Sequence, residues 1–171
     1  TGNWYNLTTH FPWIGMRTAE LEGAHVEYFR GVANPMGIKI GPGMTAKWLQ
    51  GLLQALNPNK LPGRLTLIHR FGAELIEEHL PKLIEAVKEI ESPVLWVCDP
   101  MHGNTESTAD GTKTRRFENI FSELESAFRV HDKMGTYLGG VHLELTGENV
   151  TECTGGARGL SDEDLSKAYK S

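Results

Sequence analysis

The chain has 171 residues, with 17 Lys plus Arg against 22 Asp plus Glu and a formal net charge of −5 at pH 7. At 39% apolar and 23% charged residues, it is composed like a folded globular protein, and the acidic balance leaves no footprint for nucleic acid or a membrane surface. Two cysteines are too few for a disulfide framework and suit a reducing compartment, and no apolar run approaches the roughly 18 residues that span a bilayer.

The first β-rich run is Met36-Gly37-Ile38-Lys39-Ile40. Thr45 then caps a predicted helix from Ala46 to about Leu56, with Leu49, Leu52, Leu53 and Leu56 on one face, and Asn57-Pro58 stops it. A second run, Leu65 to Arg70, precedes helical spacing of Leu75, Ile76, Leu80, Leu83, Ile84, Val87 and Ile90 between Ala73 and Glu91. Pro81 inside that stretch predicts a kink or a new helical segment. The third run, Val94 to Asp99, is followed by a helix over about Arg115 to Met134 carrying Phe117, Ile120, Phe121, Leu124, Phe128 and Val130. Val141 to Leu145 is the fourth run, and Ser161 followed by Asp162, Glu163 and Asp164 opens a last helix.

Strands alternating with helices mean βαβ units and a parallel sheet, an α/β fold. A doubly wound sheet and part of a β/α (TIM) barrel both fit. Gly41-Pro42-Gly43 lacks the spacing and the acidic partner of a dinucleotide loop. The barrel is therefore favoured, as one domain over 1–171 without an internal linker.

In such barrels chemistry sits at the C-terminal strand ends. Here those ends carry Lys39, Arg70, Asp99 followed by His102, and Glu144. Central parallel strands are normally almost continuously apolar, and an unpaired buried charge is costly, so four charged ends in succession point to function. Lys39 and Arg70 suit a phosphate or carboxylate, and His102 with Glu144 suits a divalent metal. The remaining candidates read as structural. Cys98 is a buried strand cysteine at a position where it could also ligate a metal, and Cys153 has no ligand partner at spacing. His10, His25, His79 and His131 read as solvated or packed, and Trp48 and Trp96 as packing aromatics. Alternation turns His69 away from Arg70 and His142 away from Leu143, and neither is assigned a role.

Longer stretches are more specific. Trp13-Ile14-Gly15-Met16-Arg17-Thr18, Gly23-Ala24-His25-Val26, Lys39-Ile40-Gly41-Pro42 and Pro62-Gly63-Arg64-Leu65-Thr66-Leu67 are followed by Cys98-Asp99-Pro100-Met101-His102-Gly103-Asn104-Thr105, Lys113-Thr114-Arg115 and Gly147-Glu148-Asn149-Val150-Thr151-Glu152-Cys153. Together these closely resemble the type II, plant-like 3-deoxy-D-arabino-heptulosonate 7-phosphate (DAHP) synthases, over nearly the whole chain. The resemblance implies the first step of the shikimate pathway to chorismate and the aromatic amino acids. Phosphoenolpyruvate and erythrose 4-phosphate condense on a β/α barrel that needs a divalent metal, manganese or cobalt, with zinc as the alternative. It implies that Arg17, Lys39 and Arg70 bind phosphoenolpyruvate beside Trp13, and that His102 and Glu144 ligate the metal. Lys39 and His102 are then the catalytic residues, and Asp99 and Lys113 lie near the erythrose phosphate. It further implies a homo-oligomeric intact enzyme in the cytoplasm, or in the plastid for a plant source.

Two departures from the family pattern matter. Met16 stands where the family has Glu, which removes a carboxylate near phosphoenolpyruvate. The family's remaining metal ligands, a Cys and an Asp, and an N-terminal Arg fall outside the chain, and Cys98 and Cys153 do not take the Cys role. The expectation is therefore about four βα units of a barrel, incomplete at both ends and inactive alone. The alternative is a non-catalytic module, derived from this family, that binds a phosphorylated metabolite or a partner.

Overall fold

A five-stranded parallel sheet organises the computed structural model, which describes residues 2–145, 147 and 151–166. In chain order the elements are β1 (Trp13–Ile14), a 3-10 turn (Met16–Thr18), α1 (Ala24–Arg30), β2 (Met36–Ile40), α2 (Ala46–Leu56), β3 (Leu65–His69), α3 (Ile76–Glu89) and β4 (Val94–Cys98). Then follow β5 (Thr105–Ser107), β6 (Lys113–Arg116), α4 (Phe117–Lys133), β7 (Leu138–Val141), β8 (Cys153–Thr154) and a 3-10 turn (Asp162–Ser166). The main sheet runs β1-β2-β3-β4-β7, every neighbour parallel and every strand beside its predecessor in sequence. A second sheet pairs β5 antiparallel with β6 and β6 parallel with β8. No helix among the described residues is long and apolar enough to cross a membrane.

Register divides the main sheet into two chemically distinct faces. Ile14, Ile38, Leu67 and Trp96 are cross-strand partners, as are Ile40, His69 and Cys98. Because side chains alternate across a strand, these residues share one face. All of them but His69 join Val26, Phe29, Leu49, Leu52, Leu53, Ile76, Leu80, Ile84 and Val130 of the four helices in one core cluster. The opposite face carries Trp13, Lys39 and Ile68, and continues past the strand ends to Arg70 and Asp99. Ile68 is buried yet lies outside the helix-side cluster.

The fourth run of the main sheet is displaced from its expected span. The strand is Leu138–Val141, because Gly139 and Gly140 continue the ladder against β4 through a register shift at Trp96/Val97. A Cβ on Gly139 would lie 2.3 Å from Leu95 Cδ1, so any larger residue there would require the Leu95 side chain to move. His142, Leu143 and Glu144 therefore stand just beyond the strand, with His142 N–H extending the ladder to the Cys98 carbonyl at 2.8 Å.

Helix boundaries shift for similar reasons. Arg115 and Arg116 belong to β6, so α4 begins at Phe117, and Thr114 anchors the strand by donating to the Glu152 carbonyl at 3.0 Å. The buried face of α4 is Glu123, Ser126, Ala127, Val130 and His131, while Phe117, Phe121 and Phe128 are exposed. Pro81 sits inside an unbroken α3, which starts at Ile76 after a turn from Gly72. At the end of the chain, Asp164 accepts from the Ser161 N–H at 2.9 Å. The continuation past Ser166, like Glu148, Asn149 and Val150, lies outside the described residues.

Two buried histidines make stability sensitive to pH. His69 on β3 and His131 on α4 face each other with Nε2 atoms 3.4 Å apart. Burial, then the neighbouring His131, pushes His69 down from 6.5 to about 3 against the pull of Asp99. Burial pushes His131 down to about 4. The unfolded chain takes up these protons below about pH 6.5, whereas the folded chain resists until about pH 4 and 3. Stability is thus full above that range and falls as the pH drops through it. Carboxylates such as Asp99, whose ordinary value is 3.8, contribute their loss only at lower pH. Melting temperature measured from about pH 7.5 to 4.5 should fall steadily, and His131→Asn should flatten the slope; a profile flat over this range would refute the assignment.

Candidate functional site

Alternation and strand ends bring the predicted side chains to one place. Trp13, Arg17, Lys39, Arg70, His102 and Glu144 line a cleft of about 730 Å³ at the C-terminal edge of the main sheet, together with Met16 and His142. Asp99 is fully buried and reaches Lys39 and His102 of this lining. Lys113 is not part of the lining; it is exposed on β6 of the second sheet.

Asp99 organises the cleft. Its carboxylate pairs with Lys39 Nζ, and accepts from His102 Nδ1 at 2.7 Å and from the backbone N–H groups of Met101 at 3.1 Å and His102 at 3.2 Å. Burial by itself would raise the Asp99 carboxyl, but the hydrogen bonds from His102 and Lys39 and their charges outweigh it. The group is held well below the ordinary carboxylate range. An anionic Asp99 can only accept, so His102 must present Nδ1–H to it, and in the neutral ring the lone pair is then on Nε2, facing the cleft.

That lone pair meets Glu144 Oε2 at 3.2 Å. Two lone-pair atoms at this distance repel unless a proton or a cation lies between them. A neutral imidazole oriented by a carboxylate, beside a second carboxylate, is a donor set that fits a divalent metal. Glu144 also lies 3.8 Å from the buried Arg115 guanidinium, which donates from Nε to the Met101 carbonyl at 3.1 Å and reaches Glu152 at 3.9 Å.

Arg70 is placed by a backbone contact. The Arg70 guanidinium donates to the His102 carbonyl and lies 3.8 Å from Met16 Sδ, so the ends of β3 and β4 are tied together at the cleft. Trp13 stands edge-on to His142 with centroids 5.1 Å apart. Burial, then the Lys39 charge, lowers the His142 imidazole from its ordinary value.

Below the cleft lie supports that sequence patterning missed. Asn104 donates to the Pro100 carbonyl and to Glu123 Oε2, both at 2.7 Å, and accepts from Ala73 N–H at 3.0 Å. Glu123 accepts from Phe71 N–H at 2.8 Å. This pair fastens the loops after β3 and β4 to α4. A carboxylate among apolar spacings on α4 was the available signal. Helical periodicity passes over it because it weighs apolar positions alone.

The fold and cleft define an α/β protein whose strand ends gather three cations and a metal-capable His–Glu pair on one cleft. The chain belongs to the class-II DAHP synthetase family, whose profile matches residues 1–171. It is 53% identical over 170 residues to a phospho-2-dehydro-3-deoxyheptonate aldolase of Neurospora crassa, covering 98% of this chain and 35% of that protein. Proteins named for the same activity from Mycolicibacterium smegmatis and Streptomyces coelicolor are 47% and 45% identical, with 97% and 99% of this chain covered and 36% and 38% of theirs. The chain thus spans little more than a third of the length of these relatives.

Close packing of two glycines holds the His102 loop in place. A Cβ on Gly103 would lie 2.2 Å from Gly72 N and 2.8 Å from Phe71 C, both backbone atoms that cannot swing aside. Gly103→Ala should therefore cost about 1–3 kcal/mol, as overpacking does, read by urea denaturation. Gly147→Ala, where an added Cβ meets nothing within 4 Å among the described residues, should stay within about 0.5 kcal/mol. Equal effects at the two sites would contradict the packing assigned to the His102 loop.

Proposed function

We propose that this chain carries the phosphoenolpyruvate-binding cations and two metal ligands of a 3-deoxy-7-phosphoheptulonate synthase. The reaction joins C3 of phosphoenolpyruvate to the aldehyde carbon of erythrose 4-phosphate. The aldehyde oxygen takes a proton, water adds at C2 and phosphate leaves, giving DAHP. The observation that carries this reading is the convergence of Arg17, Lys39 and Arg70 with His102 and Glu144 on one cleft, in a chain of this family.

The same reading makes the main sheet part of a β/α barrel. Its support is a strand order that follows the sequence, and a core cluster that joins the helices to only one face. A doubly wound sheet reverses its strand order and takes helices on both faces. In a closed barrel the opposite face, with Lys39 and Ile68, becomes the interior.

Phosphoenolpyruvate is anionic at both ends, and Lys39, Arg70 and Arg17 supply fixed cations for its phosphate and carboxylate. Arg70 can grip in a bidentate way, and Lys39 is held in position by Asp99. Fixing both ends presents C3 in one orientation, which removes much of the entropic barrier to a bimolecular step. His102 Nε2 and Glu144 would hold a divalent ion, manganese, cobalt or zinc, which when bound supplies a Lewis acid that polarises the aldehyde. Asp99 keeps His102 in the tautomer this requires. Lys113, exposed on β6, is a second-substrate phosphate contact only if the β5–β6 hairpin borders the bound aldose phosphate.

Met16 favours a second reading. A thioether, with no proton to move, lies beside Arg70 in the cleft lining. On that reading the chain is a non-catalytic module that binds a phosphorylated metabolite. The two readings part when DAHP formation and ligand binding are measured together. The 171-residue chain with manganese or cobalt should bind phosphoenolpyruvate without forming DAHP, since outer strands β1 and β7 lack a neighbour on one side among the described residues. Lys39→Ala and Arg70→Ala should each weaken binding about tenfold or more. Rapid turnover by the chain alone would overturn its proposed inactivity, and undiminished binding in both variants would overturn the cleft assignment. DAHP formation by a complete barrel that retains Met16 would exclude the module, and activity gained only with Met16→Glu would support it.

A further inference from the structure

Alternation places a second set of ligand-type side chains on the helix-facing side of the same strand ends. A ring nitrogen of His69, Cys98 Sγ and a Glu123 carboxylate oxygen lie within 4.8 Å of one another, and all three residues are fully buried. None of them lines the cleft.

The hydrogen bonds around His69 occupy one of its ring nitrogens and leave the other without a partner. His69 Nε2 faces His131 Nε2 at 3.4 Å, and His131 Nδ1 is in turn engaged by Thr136 Oγ1 at 2.7 Å. His69 Nδ1 is the buried side-chain nitrogen that has no hydrogen-bond partner among the described residues. An unsatisfied buried polar atom is costly.

We propose that His69 Nδ1, Cys98 Sγ and Glu123 form a second metal centre, closed to solvent and suited to a zinc-type ion. Imidazole, thiolate and carboxylate are the donors such an ion selects. A dication facing one thiolate and one carboxylate leaves the buried cluster electrically neutral, which removes the main objection to charge in the interior. The outer contacts are of the kind that ligands of a metal need. His131 holds the His69 ring, and Phe71 N–H with Asn104 holds Glu123. Burial, with the charges of Glu123 and Asp99, pushes the Cys98 thiol up and keeps it protonated in the metal-free chain. Binding therefore transfers the Cys98 proton to solvent as the sulfur–metal bond forms. Since Cys98 adjoins Asp99 and His69 adjoins Arg70, an ion here stiffens both strand ends that support the cleft.

Cobalt(II) titrated into metal-depleted chain carrying His102→Ala and Glu144→Ala tests the site without using activity. One equivalent should bind with a thiolate-to-cobalt charge-transfer absorption, release of one proton and a rise in melting temperature. Cys98→Ser should abolish the absorption, Cys153→Ser should leave it intact, and His131→Phe should weaken binding about 10–100-fold. Circular dichroism establishes that each protein is folded. A folded chain with no charge-transfer absorption overturns the proposal, as does absorption or metal-dependent folding that persists in Cys98→Ser.

Discussion

A single buried carboxylate governs the chemistry of this chain. Asp99 is enclosed at the end of β4, and it is tolerated there because Lys39, His102 and two backbone N–H groups surround it. An ionised carboxylate without such partners would be expelled from the interior or neutralised. The arrangement does more than satisfy Asp99. It positions a cation contributed by β2 and sets the tautomer of an imidazole contributed by the loop after β4. With Arg70 donating to the His102 carbonyl, the ends of three adjacent strands are locked into one rigid lining. A site built on strand ends in this way is preorganised, so little ordering would remain to be done on binding the anion proposed for it.

The period of two along each strand also sorts polar chemistry into two compartments. Lys39, Arg70 and Asp99 fall on the face away from the helices, and His69 and Cys98 fall on the face packed against them. One compartment opens to the cleft and the other is sealed. Asn104 and Glu123 connect them, because the same two side chains that fasten the cleft loops to α4 also border the sealed cluster. Glycine makes the connection possible, since Gly72 and Gly103 allow the two loops to touch through their backbones.

Much of this was legible in the sequence. The runs at Met36 and Leu65 and the leucine face of α2 were clear because local pattern and tertiary burial agree there. Alternation also separated His69 from Arg70. What escaped depends on long-range pairing. β1 is two residues long, and β5, β6 and β8 gain their order from one another rather than from their own composition. Gly139 and Gly140 precede the expected run at Val141 and are instead part of the strand, set there by pairing with β4. On α4 the phenylalanines suggest the buried face, yet Glu123 and His131 occupy it, satisfied by partners far away in sequence. Of the cleft residues, the charged strand ends stood out from an apolar background. Arg115 and Asn104 act through backbone carbonyls and neighbouring carboxylates, contacts that leave no periodic trace.

Asp99 fixes the neutral His102 ring with hydrogen on Nδ1 and the Nε2 lone pair toward Glu144. Nitrogen-15 NMR of the His102 ring in the metal-free chain at neutral to mildly alkaline pH reports this directly. In the unmodified chain Nδ1 should be the protonated, pyrrole-type nitrogen and Nε2 the pyridine-type one, and Asp99→Asn should abolish that preference. A His102 ring protonated on Nε2 and bare at Nδ1, or one whose tautomer is unchanged by Asp99→Asn, would contradict the account.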